Sequence, residues 1–169
     1  MKIAELFLSE LDREHERSRR ALEQVPEGRR DWKPHERSMP LGYLTEIVAN
    51  IHSWVAMAIN QDELDLSPPD GPKYKPEPLA TRAALLAALD KATAGARNAL
   101  AHATDERLLE PWRLLVAGDV VSEAPRHVMI RDILNHSAHH RGQLTVYLRL
   151  VGATVPALYG PSADDQRFA

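Results

Sequence analysis

Apolar residues recur three and four positions apart through four long stretches of this chain, and proline-bearing segments stand between them. That spacing returns side chains to the same side of a 3.6-residue helix, so each stretch predicts a helix with one buried stripe. Residues from about 2 to 25 align Ile3, Phe7, Leu11, Ser18, Leu22 and Val25 and stop near Pro26-Glu27-Gly28. Residues 41–61 carry Leu41, Leu44, Val48, Ile51, Val55 and Ile59. Thr81 suits the N-cap of a third helix to about residue 104, with Leu85, Leu89, Ala92, Ala96, Leu100 and Ala103 inward and enough alanine for a close neighbour. Pro125 suits the first position of a fourth helix, which runs through Met129, Ile133, Leu144, Tyr147 and Val151 until Gly152 stops it. Four such helices predict an all-α four-helix bundle. With 169 residues, 44% of them apolar, the chain suffices for a single domain over residues 1–169.

Between helices one and two, Asp31 to Pro40 reads as an ordered connector, its prolines blocking helix and Trp32 anchoring it by burial. Asp62 to Pro78, between helices two and three, is a Pro-rich loop with Pro68, Pro69, Gly71, Pro72, Pro76 and Pro78. A loop of that length is commonly a lid, a binding loop or a mobile surface segment. Before the fourth helix, Arg113–Val116 and Val120–Ser122 flank Ala117-Gly118-Asp119, which suits a short β-hairpin and equally a plain loop.

Charge narrows the classes of partner. Against 24 acidic residues stand 21 Lys and Arg, a net charge of -3, so no positive field draws the protein onto phosphate backbones. The basic clusters Arg17, Arg19, Arg20 and Arg29, Arg30 are interrupted by Glu14, Glu16, Glu23, Glu27 and Asp31 and read as solvated faces. The absence of cysteine excludes disulfides, thiolate ligands and a cysteine nucleophile, so any thiol involved arrives from outside. Glu5 and Glu10 interrupt the N-terminal residues before an apolar run of signal-peptide length, and no later stretch could span a bilayer; a cytoplasmic, soluble protein without a membrane partner is expected.

Three of the eight histidines fall within Asn135-His136-Ser137-Ala138-His139-His140-Arg141-Gly142-Gln143-Leu144. With each residue advancing about 100° around the helix, Met129, Ile133, His136, His140, Leu144 and Tyr147 fall on one side. His136 and His140 thereby stand at the centre of the expected buried stripe, while His139 is turned away by about a quarter of the circumference. Spacing of i, i+4 brings two imidazoles onto one face, about 6 Å apart at Cβ, where both can reach one ion. Zinc, nickel and iron accept such ligands. The alternative is a pair of neutral core histidines bonded to Asn135, Gln143 or groups across the bundle. No glutamate follows His136 as in the zincin motif, so an ion needs a third ligand from another helix. His52, at the edge of the second helix's apolar stripe, is the candidate. Glu46 falls on the outer face of that helix, and Glu14 is a reserve ligand. His15, His35, His102 and His127 receive no role.

Those residues also carry a resemblance. Asp31-Trp32-Lys33-Pro34-His35, Ser38-Met39-Pro40-Leu41-Gly42, Pro111-Trp112, the histidine stretch with Val146-Tyr147-Leu148-Arg149 behind it, and the tail Val155 to Asp164 together resemble the DinB/YfiT-like family of metalloenzyme-like four-helix bundles. The resemblance implies a divalent metal held by one histidine from the second helix and two, four apart, from the fourth. His136 and His140 match the latter pair. An ungapped alignment of Ser38–Leu44 puts Ile47 where the family carries its second-helix histidine, and His52 comes five residues later, about 7.5 Å along the axis and about 140° around it. Either a local change in helix two brings His52 into the site, or the site has lost a ligand and holds metal weakly.

By the same resemblance the protein is expected to be a metal-dependent transferase, adding an external low-molecular-weight thiol to a small electrophile, or a hydrolase, its pocket shaped by the Pro-rich loop and the ends of helices two and four. A homodimer is implied as well. The competing expectation is a non-catalytic stress-associated or interaction bundle with a degenerate site, which Ile47 favours. DNA binding has only an association of the family name behind it, and the charge balance opposes it.

Overall fold

A computed structural model describes residues 2–69, 71 and 78–167. Its elements in chain order are α1 (Ile3–Glu23), α2 (Leu41–Asn50), α3 (Ser53–Asn60), β1 (Glu63–Asp65), α4 (Arg82–His102), α5 (Asp105–Leu109), β2 (Pro111–Val116), β3 (Asp119–Pro125) and α6 (Arg126–Leu150). The architecture is mostly helical with a small three-stranded sheet, so the four-helix-bundle expectation holds in its coarse form and the sheet adds one strand to the expected hairpin. The expected first, third and fourth helices are α1, α4 and α6. The expected second is two helices, α2 and α3, separated at Ile51 and His52. Both residues keep right-handed helical dihedrals, so the break comes without glycine or proline to signal it. No described helix is long and apolar enough to cross a membrane.

Thr81 caps α4, its hydroxyl accepting from Ala84 N at 3.1 Å. Gly152, at φ 77, takes the left-handed conformation that ends α6. The hairpin is real: β2 and β3 pair antiparallel from Pro111↔Pro125 to Val116↔Asp119. Ala117 and Gly118, both at positive φ, make the two-residue turn whose twist suits a hairpin. The Pro-rich loop is not wholly irregular, because its Glu63–Asp65 pairs parallel to β2 as the third strand. Asp65 fastens that strand to the hairpin, its carboxylate accepting from Ala117 N at 3.1 Å and Gly118 N at 2.8 Å. Pro72 and Pro76 lie outside the described residues. Buried Arg126 ties sheet to helix, donating to Pro111 O at 2.7 Å and to Asp62 Oδ1 at 2.5 Å. The connector behaves as expected: Trp32 is half-buried and meets Tyr147 edge-on at 5.5 Å between ring centroids.

The core divides in two. One apolar cluster joins Phe7 and Leu11 of α1, Val55 and Ile59 of α3, Leu100 of α4 and Ile130 and Ile133 of α6 with Trp112. The other joins Leu22 of α1, Leu44 and Val48 of α2, Leu85 and Leu89 of α4, Leu144 and Leu148 of α6 and Leu158 of the tail. Along each long helical segment the residues between the two clusters are polar and buried: Ser18, His52, Thr93, Ser137 and Arg141. The break between α2 and α3 at Ile51 and His52 lies at the level of this polar layer.

Candidate functional site

The structure separates the three expected ligands. His136 and His140 come together, with Nε2 to Nε2 at 2.7 Å and ring centroids 4.5 Å apart. His52 does not join them, and no group of three His, Cys, Asp or Glu among the described residues is placed to hold a metal ion. His52 is completely buried, but in the polar layer. There His52 Nδ1 meets Thr93 Oγ1 at 2.9 Å, and Thr93 Oγ1 also meets His15 Nδ1 at 3.0 Å. His52 Nε2 faces Ser137 Oγ at 3.5 Å, and His15 Nε2 faces Asp90 at 3.5 Å.

Thr93 Oγ1 stands between two imidazole nitrogens and, having one proton, donates to one ring and accepts from the other. Ser137 Oγ meets the second nitrogen of His52. Both ring nitrogens of His52 are therefore engaged within the protein. Burial, reinforced by positive charge at His15 and Arg141, pushes its pKa down to about 4, so the ring is neutral.

Beside it Arg141, with no exposure, donates to the Glu14 and Tyr159 side chains and to Ser18 Oγ at 3.1 Å. Burial raises the Glu14 pKa, but Arg141 and Arg17 more than offset this and hold the carboxyl ionised. Glu14 is committed to those arginines rather than to a metal. Glu46 is also not the outward residue expected; its side chain is 12% exposed and receives Arg30 Nη2 at 2.7 Å and Leu79 N at 3.0 Å.

The stripe on α6 needs a further correction. Its buried residues include Leu134, Ser137, Arg141 and Leu148, which turns the buried arc to run from about 0° to about 140° relative to Met129. His140, 7% exposed, sits at one edge of the arc, and His136 falls just outside it and is exposed. Reading Ser137 and Arg141 as outward because they are polar misplaces the centre. His139 is exposed as expected, its ring edge-on to His140 at 5.2 Å.

His136 and His140 thus stand at a margin where the helix surface meets a cavity. Gln143 Oε1 lies 2.9 Å from His140 Nδ1. With the amide oxygen accepting from Nδ1–H, the Nε2 lone pair is left facing His136, the kind of orienting bond that metal-binding histidines usually have. Trp54 of α3 lies against His136 at 5.6 Å between centroids. Burial, with His140 and His139 nearby, lowers the His136 pKa and keeps its nitrogens available as donors of electron pairs. Two nitrogens on one tetrahedral ion stand about 3.3 Å apart, so the 2.7 Å pair must widen by about 0.6 Å to share an ion, which rotation of the exposed His136 ring allows. The pair fits a metal as two ligands, not three.

The cavity holds about 310 Å3 and is lined by Trp54, Met57 and Ala58 of α3, Leu64 of β1, Leu66 beyond it, Trp112 and Leu114 of β2, and Met129, Asp132, Ile133 and His136 of α6. The start of the Pro-rich loop contributes to it, as expected, and the sheet contributes as well. Both tryptophans are visible in the sequence as large apolar groups; what places them in one wall is the pairing of β1 with β2, three residues long and without a sequence signal of its own.

Known proteins share this arrangement of elements. A DinB-like protein from Bacillus cereus ATCC 10987 superposes with TM-score 0.69 at 21% identity, covering 90% of this chain and 95% of that one. The DinB-like protein YjoA from Bacillus subtilis superposes with TM-score 0.67, also at 21% identity, covering 96% and 99%. In sequence, the uncharacterized protein YrdA of Bacillus subtilis (strain 168) is 40% identical over 43 residues, a match spanning 25% of this chain and 26% of that protein. The model of the DinB family matches residues 1–167, and the chain belongs to that family.

Proposed function

We propose that this DinB family protein binds a divalent metal ion, zinc, nickel or iron, through His136 and His140, and uses it on a small molecule held in the adjoining cavity. The observation that carries this reading is the convergence of the two Nε2 atoms at 2.7 Å with His140 Nδ1 already held by Gln143. His136 and His140 hold the ion, Gln143 fixes the His140 ring, and the apolar walls orient the substrate and exclude water from it. When bound, such an ion lowers the pKa of a coordinated water or external thiol and makes it a nucleophile near neutral pH, which serves a hydrolase or a thiol transferase. Two protein ligands leave positions for both reactants and also hold the ion less tightly than three would.

Metal content of the untagged protein, and titration of the chelated protein with zinc, nickel and ferrous iron, test this. One ion per chain, lost in His136→Ala and in His140→Ala and retained in His52→Ala, is the expected result. Loss in His52→Ala as well would restore the three-histidine site, and no uptake by the wild type would remove the metal from the reading.

The second reading, a non-catalytic bundle with a degenerate site, has a specific observation in its favour: His52 is fully engaged by Thr93 and Ser137. Homodimer formation draws support from exposed Tyr43 of α2 and Val146 and Leu150 of neighbouring α6, and sedimentation equilibrium tests it.

A further inference from the structure

Each ring of the His136–His140 pair has two nitrogens, and an imidazole aims them to nearly opposite sides. The two Nε2 atoms face each other at 2.7 Å. The Nδ1 atoms therefore point away from the pair along α6, that of His140 toward the following turn and that of His136 toward the preceding one. His140 Nδ1 accordingly meets Gln143, three residues on, at 2.9 Å. Among the described residues His136 Nδ1 has no such bond. The preceding turn presents Ile133 and Asp132, three and four residues before His136, and of these two only Asp132 has a side-chain acceptor. With Met129 as zero, Asp132, His136 and His140 fall at about 300°, 340° and 20°, a single ridge of the helix. Asp132 also shares the cavity wall with His136.

Accepting an ion moves the His136 ring toward that turn. The Nε2 atoms must part by about 0.6 Å, and His140 is buried and already bonded to Gln143. His136, exposed like Asp132, makes the movement, away from His140 and toward the N-terminal side of the helix.

We propose that Asp132 is a positioning residue of the metal site: with the ion bound, its carboxylate accepts from His136 Nδ1–H as Gln143 Oε1 accepts from His140 Nδ1–H. This rests on the reading of His136 and His140 as metal ligands and extends their site to four residues, Asp132, His136, His140 and Gln143. A carboxylate behind a metal-binding imidazole fixes its tautomer and orientation and makes the ring a stronger donor. Here it also brings negative charge near an ion held by two neutral rings, where the described residues offer no group of three ligands.

The test is titration of the full chain, stripped of metal by chelation, with zinc and with cobalt(II), in wild type, Asp132→Ala and Asp132→Asn, each first shown to melt like wild type. Asp132→Ala is expected to weaken both metals by about tenfold. Asp132→Asn keeps an acceptor without the charge and is expected to recover part of that loss. In the cobalt(II) protein each ligand's Nδ1–H gives a metal-shifted proton resonance that exchanges with water. Two are expected in wild type, with exchange of one quickened by Asp132→Ala and of the other by Gln143→Leu, a division that a general loss of stability does not produce. Asp132→Ala binding both metals as tightly as wild type, or leaving both resonances unchanged, would overturn the proposal. So would a loss as large as that of His136→Ala, which would make Asp132 a ligand. No uptake by the wild type removes the metal reading and this proposal together, whereas uptake indifferent to Asp132→Ala removes the proposal alone.

Discussion

Two groups of histidine meet the same stretch of α6, one at Ser137 inside its buried arc and the other, His136 and His140, at the edge of that arc. In the polar layer, His52 has both nitrogens matched inside the protein, by Thr93 and Ser137, and His15 continues the row to Asp90. At the cavity margin, His140 has one nitrogen matched by Gln143, and its other nitrogen meets only His136. The first arrangement consumes the lone pairs and serves cohesion between two apolar cores. The second leaves two rings bonded to each other next to an apolar cavity, the arrangement on which the proposed metal site rests. A histidine count alone cannot separate these roles; what separates them is whether the second nitrogen has a partner in the fold.

The contrast breaks most readily at Arg141, whose buried guanidinium neutralises Glu14 beside His52. Arg141→Ala leaves that carboxylate to Arg17 alone and empties a fully buried site, and is expected to cost about 2–3 kcal/mol of stability by urea denaturation; a loss under about 1 kcal/mol would mean the polar layer is not cohesive. Next come the histidines themselves. His136→Ala or His140→Ala is expected to lower metal affinity by at least a hundredfold while the urea midpoint stays near wild type. For His52→Ala the pattern reverses, with metal affinity kept and about 2 kcal/mol of stability lost to the vacated volume and the unpaired Thr93.

A pH series sharpens the same division. His52 unfolded titrates near 6.5 and folded near 4, so the unfolded chain binds the extra proton between those values and stability falls as pH drops through that window, levelling below it. From pH 7 to pH 5 the expected loss from His52 is about 2 kcal/mol. His15 and His136, whose pKa values are also lowered, act in the same direction. Urea midpoints at the two pH values should differ less in His52→Gln than in wild type; equal differences would remove His52 as the cause. The smallest effect is expected at Gln143, where Gln143→Leu frees the His140 ring and should cost about tenfold in metal affinity without moving the pH series.

Much of this is legible in the sequence because it follows from period. The stripes Leu85–Leu89–Ala96–Leu100 and Ile133–Leu144–Tyr147 each identify a buried face, and Ala117-Gly118 marks a hairpin turn by its chemistry. The pairing of His136 with His140 follows from i, i+4 spacing alone. What escapes is whatever depends on a polar residue facing inward. Arg141 and Ser137 lie inside the buried arc of α6, yet a hydrophobic pattern counts them as solvent-facing, and this shifts the apparent centre of the helix toward His136. The break at Ile51 and His52 escapes because no helix-breaking residue marks it. His52, at the stripe edge by period alone, is fully buried opposite Thr93.

The cluster around Arg141 has a consequence for how the chain acquires its structure during synthesis. Glu14 emerges from a ribosome early, yet its guanidinium partner lies 127 residues later, and the Tyr159 hydroxyl that both of them touch follows 18 residues after that. Until those late residues appear, the only partner that α1 itself offers this acidic group is Arg17, three residues on. The polar layer between the two cores is therefore complete only when α6 and the segment beyond it are in place.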